Sequence, residues 1–267
     1  MDLSPDRILL TDRVAVVTGA ARGIGASTAV AMARFGADVA IFDMNPALLP
    51  DVVEQVEASG RRCVSDVLDA RDDDAVAAFM RRVHDELGPI DVLVNNAGGT
   101  FQALFADTSP KGEHTLIREN FSTVTNCVRH GIPLMSDGAA IINVTSVEAH
   151  HAAPRYGVYA AMKAAVEQFT KTLALEYGHR GIRANCVAPD MMLTPGDAVL
   201  AEQASSLMEG LHPTPLERTA EAEECASVIV FLASDMASFV TGASILVDGG
   251  TVAAGSWKTR IDGTFGL

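Results

Sequence analysis

The chain has 267 residues, 20 Lys and Arg against 34 Asp and Glu, and a formal net charge of −14; 48% of residues are apolar and 20% charged. This is a globular composition, too apolar for a disordered chain, and the length suits one α/β domain. The acidic balance, with no Lys/Arg run longer than Arg61-Arg62 or Arg81-Arg82, argues against nucleic acid or anionic membrane as a partner, because both require a basic surface.

Residues Met1–Asp6 show no basic stretch followed by an apolar one, so no secretory signal is expected. Apolar runs such as Val228–Ala233 fall far short of the roughly 20 residues that span a bilayer. Cys63, Cys127, Cys186 and Cys225 are widely spaced, a pattern that suits reduced, mostly buried thiols in a cytoplasmic enzyme rather than disulfides or a metal site.

Short β-rich runs alternate with helical patterns. Strands are predicted at Val14–Thr18, Asp38–Asp43, Arg62–Asp66, Val92–Asn95, Ala140–Thr145, Arg183–Ala188 and Ser244–Val247. Helices are predicted at Ile24–Phe35, Pro46–Ser59, Asp72–Leu87, Gly112–Gly131, Val158–Tyr177 and Ala220–Leu232, with Gly36, Gly60 and Gly88-Pro89 as stops. Strand-helix alternation of this kind implies an α/β fold: a Rossmann-type, doubly wound, seven-stranded parallel sheet with helices on both faces. No linker or repeat divides the chain, so residues 1–267 read as a single domain. Its core runs over 14–250, an irregular lid over about 189–219, and a tail over 251–267.

The first strand runs into Thr18-Gly19-Ala20-Ala21-Arg22-Gly23-Ile24-Gly25 and then a helix. Glycines at that place allow a tight turn and close backbone approach to a pyrophosphate, while a helix N-terminus offers free N–H groups and a positive dipole end. Asp43 ends the second strand, where a carboxylate can accept hydrogen bonds from both hydroxyls of an adenosine ribose and would repel a 2′-phosphate. No Arg or Lys follows it, so NAD is favoured over NADP, with Arg22 as the counter-argument.

Further along come Asp66-Val67, Asn95-Asn96-Ala97-Gly98, Asn120, Ser146, Tyr159-Ala160-Ala161-Met162-Lys163 and Val247-Asp248-Gly249-Gly250. With the glycine turn, these motifs in this order resemble the short-chain dehydrogenase/reductase family, in its short single-domain branch, over nearly the whole chain. The resemblance implies hydride transfer between a nicotinamide cofactor and a secondary alcohol or ketone, with a catalytic set of Asn120, Ser146, Tyr159 and Lys163.

The chemistry suits those residues. Tyr159 and Lys163 are i and i+4 on one helix and share a face. A free tyrosine titrates near pH 10, and a neighbouring ammonium favours the phenolate that a base requires. Ser146 would hold the substrate oxygen, Lys163 also the nicotinamide ribose, and Asn120 a water linking Lys163 to solvent. The cofactor-binding set implied is Gly19, Arg22, Gly23, Ile24, Gly25, Asp43, Asp66, Val67, Asn96, Ala97, Gly98, Tyr159, Lys163, Pro189 and Thr194. The resemblance also implies a homotetramer.

The chain departs from the family's usual Pro-Gly after the sixth strand, having Pro189-Asp190; Asp190 is expected to point to solvent. Glu148, His150 and His151 follow Ser146 and are candidates for contacting a polar substrate group. Adjacent histidines without a third ligand do not suggest a metal. Tyr156 is read as a pocket wall. Met191, Met192, Leu193, Leu207, Met208 and Leu211 give the lid an adaptable apolar lining, which suggests a largely apolar alcohol or ketone such as a steroid-derived or acyl-thioester compound. The tail, with the one tryptophan, Trp257, is expected against a neighbouring subunit or frayed. Two rival readings are an NADPH-dependent 3-oxoacyl-thioester reductase and a non-catalytic nucleotide-binding protein.

Overall fold

The computed structural model describes residues 3–193 and 211–266. Its strands are β1 (Val14–Thr18), β2 (Asp38–Asp43), β3 (Cys63–Val67), β4 (Ile90–Asn95), β5 (Met135–Val144), β6 (Arg183–Pro189), the two-residue β7 (Met192–Leu193) and β8 (Ala220–Glu221), and β9 (Ser244–Val247). Seven of them form one parallel sheet in the order β3-β2-β1-β4-β5-β6-β9. The order reverses between β1 and β4, and the crevice beyond that point is where ligands bind in open α/β sheets.

Helices cover both faces because successive residues of a strand point to opposite sides. Ala15 and Val17 pack with Val39, Ile41 and Val92 against α1 (Gly23–Arg34), α2 (Leu49–Glu57) and α7 (Ala222–Ala233), through Met32, Val52 and Ile229. Their neighbours Val14 and Val16 pack with Phe42 and Leu93 against α3 (Asp73–Leu87), α5 (Thr123–Gly131) and α6 (Gly157–Tyr177), through Phe79, Val128 and Val166. A single layer of buried Val and Ile therefore serves two cores, and the doubly wound sheet of the sequence reading is the fold observed.

Local chemistry sets the helix ends. The Asp72 side chain accepts the Ala75 N–H at the start of α3, and Ser109 accepts from Gly112 at the start of α4 (Pro110–Ile117). Gly36, Gly60 and Gly88 all take the positive φ expected of helix stops. Several predicted limits need correction, three of them for a clear local reason. α2 begins at Leu49, not Pro46, because the Asn45 side chain accepts the Ala47 N–H and holds a turn there. α7 begins at Ala222, not Ala220, because Glu221 and Glu224 form a capping box and Ala220–Glu221 pair with β7. β5 begins at Met135 rather than Ala140, since Met135 already pairs with Ile90 across a register shift.

The tail is neither frayed nor free. It forms the short α8 (Thr251–Ala254) and a hairpin of β10 (Lys258–Thr259) with β11 (Phe265–Gly266). Leu211 bridges to Arg260, and the His212 N–H donates to the Thr259 carbonyl at 3.0 Å, so the tail packs on the lid's base within its own chain. Of the lid candidates, Thr194, Leu207 and Met208 lie outside the described residues. All four cysteines are free, and burial pushes their thiols up to about 12. No helix among the described residues is long and apolar enough to cross a membrane.

Candidate active site

The C-terminal ends of β1, β2, β4, β5 and β6 meet at one edge of the sheet. At the β1 end, Gly19 has φ +64° and Gly25 lies so close to it that a Cβ would fall 2.2 Å from the Gly19 carbonyl oxygen. Only glycine fits there. The following helix has no side-chain cap at Arg22, so the first-turn N–H groups of Gly23, Ile24 and Gly25 precede any i→i−4 partner. Thr18 Oγ1 accepts the Asn96 and Ala97 N–H groups, while Asn96 Nδ2 donates to the Gly19 carbonyl at 2.9 Å. The β4 end is thereby bolted to the glycine turn.

Asp43 closes β2. One of its oxygens accepts the Ala21 N–H at 3.0 Å and the other the Asn45 N–H at 2.9 Å, which aims the carboxylate across the glycine turn. Arg22 is exposed beside it. Asp66 accepts the Val67 N–H and pairs with Arg82 at 3.2 Å, and Val67 is exposed at the outer end of this edge.

The reactive cluster lies where β4, β5 and α6 converge. Lys163 is buried, donates to the Val144 carbonyl at 2.9 Å, and its Nζ stands 5.5 Å from the Tyr159 ring centre. Burial lowers the Lys163 ammonium to about 8, with Cys186 and Glu148 pulling the other way. Burial pushes the Tyr159 phenol up to about 12; a hydrogen bond with Ser146 pulls it back, and the Glu148 carboxylate adds to the rise.

Asn120 sits in a π-helical turn, Arg118–Ser122, that interrupts the predicted Gly112–Gly131 helix between α4 and α5. Such turns often accompany functional sites. Its Nδ2 donates to the Gly99 carbonyl at 2.8 Å and to the Leu116 carbonyl, while its buried Oδ1 has no partner among the described residues. A Cβ on Gly98 would come within 2.9 Å of that Oδ1 and 3.5 Å of Lys163 Nζ. Gly98 thus keeps a narrow cradle open above both polar atoms. The uncapped helix, the aimed Asp43 carboxylate and this cradle with its unpaired acceptor fit a dinucleotide laid along the edge from α1 to Lys163.

Ser146 caps the 3₁₀ turn Val147–Ala149; its Oγ accepts the Glu148 N–H at 3.3 Å and its hydroxyl donates to the Glu148 carboxylate. His150 is not free for a ligand on both ring nitrogens: its Nε2 lies 2.9 Å from Glu167 Oε1. His151 Nδ1 lies 3.0 Å from the Ala152 carbonyl, so the adjacent imidazoles have different partners. The Tyr156 hydroxyl accepts from Gln102 Nε2 at 2.7 Å, and its ring stands 6.2 Å from that of Tyr159. Met191 is half-buried, whereas Met192 is buried in the core cluster.

Pro189 is buried at the end of β6. Asp190 does not stand free in solvent as the sequence suggested. Its carboxylate accepts the Met191 N–H at 2.7 Å and the Thr251 hydroxyl at 2.6 Å, tying β6 to the tail. The sequence reading missed Glu167, a carboxylate with little exposure that also accepts from Thr145 Oγ1 at 3.2 Å and Ser244 Oγ at 2.8 Å. The available signal was spacing, since Tyr159, Lys163 and Glu167 recur every four residues on one helix face.

A family model described as enoyl-(acyl carrier protein) reductase matches residues 19–252. The chain is 38% identical over 245 residues to a 3-oxoacyl-[acyl-carrier-protein] reductase of Thermotoga maritima, covering 91% of this chain and 99% of that one. It is 40% identical over 245 residues to the cis-4-hydroxycyclohexanecarboxylate dehydrogenase of Sinomonas cyclohexanicum, covering 91% and 97%. The structure of a short chain dehydrogenase from Mycobacterium paratuberculosis bound to NAD superposes with a TM-score of 0.85 at 33% identity, over 91% of this chain and 99% of that one. With the glycine turn, the Ser146–Tyr159–Lys163 cluster and this fold, the chain belongs to the short-chain dehydrogenase/reductase family of oxidoreductases.

Proposed function

We propose that the protein is an NAD-dependent oxidoreductase that interconverts a secondary alcohol and its ketone, with Tyr159 as general acid and base. The observation that carries this reading is the buried Lys163 ammonium 5.5 Å from the Tyr159 ring, on the helix face beside Ser146. When bound, a nicotinamide cofactor supplies the hydride acceptor for oxidation and the donor for reduction. Tyr159 takes the proton from the alcohol, or returns one to the ketone oxygen. Lys163 favours the phenolate by its charge and holds the ribose hydroxyls. Ser146 holds the substrate oxygen, and Asn120 Oδ1 accepts from a water that Lys163 shares.

Asp43 supports NAD as the cofactor, because a carboxylate suits two ribose hydroxyls and repels a 2′-phosphate. Gly19, Arg22, Gly23, Ile24 and Gly25 hold the pyrophosphate; Asp66, Val67, Asn96, Ala97 and Gly98 border the adenosine; Pro189 borders the nicotinamide, a role the family resemblance also gives to Thr194. On the substrate side, Phe101, Phe105 and Tyr156 line one small cleft, which supports a largely apolar body. Leu175 on α6 and Phe239 before β9 are exposed, which supports assembly as a homotetramer, and the four free cysteines support a cytoplasmic location. The similarity to the Thermotoga maritima enzyme favours a second reading, an NADPH-dependent reductase of 3-oxoacyl thioesters.

The test is a screen of secondary alcohols and ketones with NAD(H) and NADP(H), read at the nicotinamide absorbance band. Tyr159→Phe is expected to abolish turnover while NADH still binds. Unchanged activity in that variant would remove Tyr159 from the mechanism, and a clear NADPH preference would overturn the cofactor assignment.

A further inference from the structure

The turn after Ser146 carries a carboxylate directly onto the oxygen that is to hold the substrate. Glu148 accepts the Ser146 hydroxyl and raises the Tyr159 phenol by its charge. Glu148 takes part in no ion pair among the described residues. The nearby donors are otherwise engaged: the Lys163 ammonium donates to the Val144 carbonyl, and His150 Nε2 lies on Glu167. A half-buried carboxylate without a cation draws hydrogen-bond donors to itself and repels anions.

The turn that carries it is also held. The Ala149 N–H donates to the Ser146 carbonyl at 3.0 Å and the His150 N–H to the Val147 carbonyl at 2.9 Å, closing the turn. Beyond it, His150 meets Glu167, which is itself fixed by Thr145 and Ser244. The turn is pinned at both ends, so little ordering remains to be done when a ligand arrives.

Building on the reading of Ser146 and Tyr159 as the groups that hold the reacting oxygen, we propose that Glu148 determines substrate specificity. Its carboxylate selects alcohols that bear a donor, a hydroxyl or an ammonium, on the carbon next to the reacting carbinol, and rejects those in which that carbon is itself a carboxylate. Substituents on adjacent carbons stand about one hydrogen-bond length apart, and the Glu148 carboxylate contacts the Ser146 hydroxyl directly. A substrate bound through Ser146 therefore presents its neighbouring group to Glu148. An ammonium there also offsets the charge that opposes the Tyr159 phenolate, so selection reaches kcat as well as KM.

A matched set of four 1-phenyl carbinols isolates that neighbouring group: 1-phenyl-1,2-ethanediol, 2-amino-1-phenylethanol, 1-phenylethanol and mandelate. Each is assayed with NAD and with NADP at pH 7.5 on the wild type and on Glu148→Gln, with NADH binding as the control for folding. For the wild type, kcat/KM with the diol or the amino alcohol is expected to exceed that with 1-phenylethanol by about tenfold or more, with mandelate lowest. The larger of the two gains identifies hydroxyl or ammonium as the preferred donor. In Glu148→Gln the donor preference shrinks towards unity and mandelate turnover rises by about tenfold. Unchanged ratios in the variant, or a wild-type preference for 1-phenylethanol or mandelate, overturn the proposal. If the wild type ignores all four yet reduces other ketones in a Tyr159-dependent way, the proposal falls and the oxidoreductase reading stands. If no alcohol or ketone is turned over at all, both fall.

Discussion

The imidazole Nε2 of His150 lies 2.9 Å from the Glu167 carboxylate, and this pair closes the turn that begins at Ser146. It joins that turn to the helix carrying Tyr159 and Lys163, so its role is positioning. His150→Ala is expected to lower kcat by about tenfold with a smaller change in KM, because misplacement of a reacting group costs rate more than binding. His150→Gln, which keeps a donor, is expected to recover most of the loss. Glu167→Ala leaves the Ser244 hydroxyl without its acceptor and Thr145 with only the Val187 carbonyl, and should cost about 1–3 kcal/mol in denaturant unfolding. Equal activity in the Ala and Gln variants of His150 would reduce the pair to a plain structural contact.

The Thr251 hydroxyl holds Asp190 at 2.6 Å and so fastens the tail to the end of β6. Thr251→Val removes the donor and is expected to cost about 1 kcal/mol, a fall in Tm of about 2–4 °C. Trypsin should then cut faster at Lys258 and Arg260 in the tail hairpin. A Tm and digestion rate equal to the wild type would show that Asp190 gains nothing from Thr251.

Asp43 is aimed by two backbone N–H groups, and the proposed NAD preference rests on it. Asp43→Ser is expected to weaken NADH binding by about tenfold or more, the worth of a hydrogen bond to a charged group. The same change should tighten NADPH binding by removing the repulsion of its 2′-phosphate. Fluorescence titration with both cofactors measures the two constants. Tighter wild-type binding of NADPH than NADH would contradict the assignment.

Burial of Lys163 gives stability a definite pH dependence. The folded protein releases that proton at about 8, against 10.5 for an unperturbed lysine. Between those values the unfolded chain binds more protons, so this group makes stability rise with pH through that window. Tyr159 acts in the opposite sense. Its phenol keeps its proton to about 12 in the fold against 10.0 unperturbed, so the unfolded chain loses protons first and stability falls above pH 10. Denaturant titrations should show Lys163→Met gaining on the wild type below pH 8 and losing that advantage by pH 10, by about 2–3 kcal/mol. Parallel pH curves for the two proteins would contradict this account.

Much of the candidate site was legible because it depends on local chemistry. The Gly19–Gly25 turn, the carboxylate at the end of β2 and the Tyr159–Lys163 spacing each state a requirement within a few residues. The partners of Glu167 were not legible in that way. Thr145, His150 and Ser244 lie on three separate elements, and only the packing of α6 against β5 and β9 makes one carboxylate their common acceptor.

The charge of −14 and the alternation of strands and helices determined, by themselves, an acidic α/β protein. They also determined where its glycines, Asp43 and the tyrosine–lysine pair stand along the chain. Only the tertiary structure decided that Asp190 turns to Thr251, that the tail packs on the lid's base, and that Glu167 meets Thr145, His150 and Ser244. The reason is range. Turns, caps and helix faces follow from neighbours in sequence, whereas a carboxylate's direction is set by the donors that folding brings to it from elsewhere in the chain.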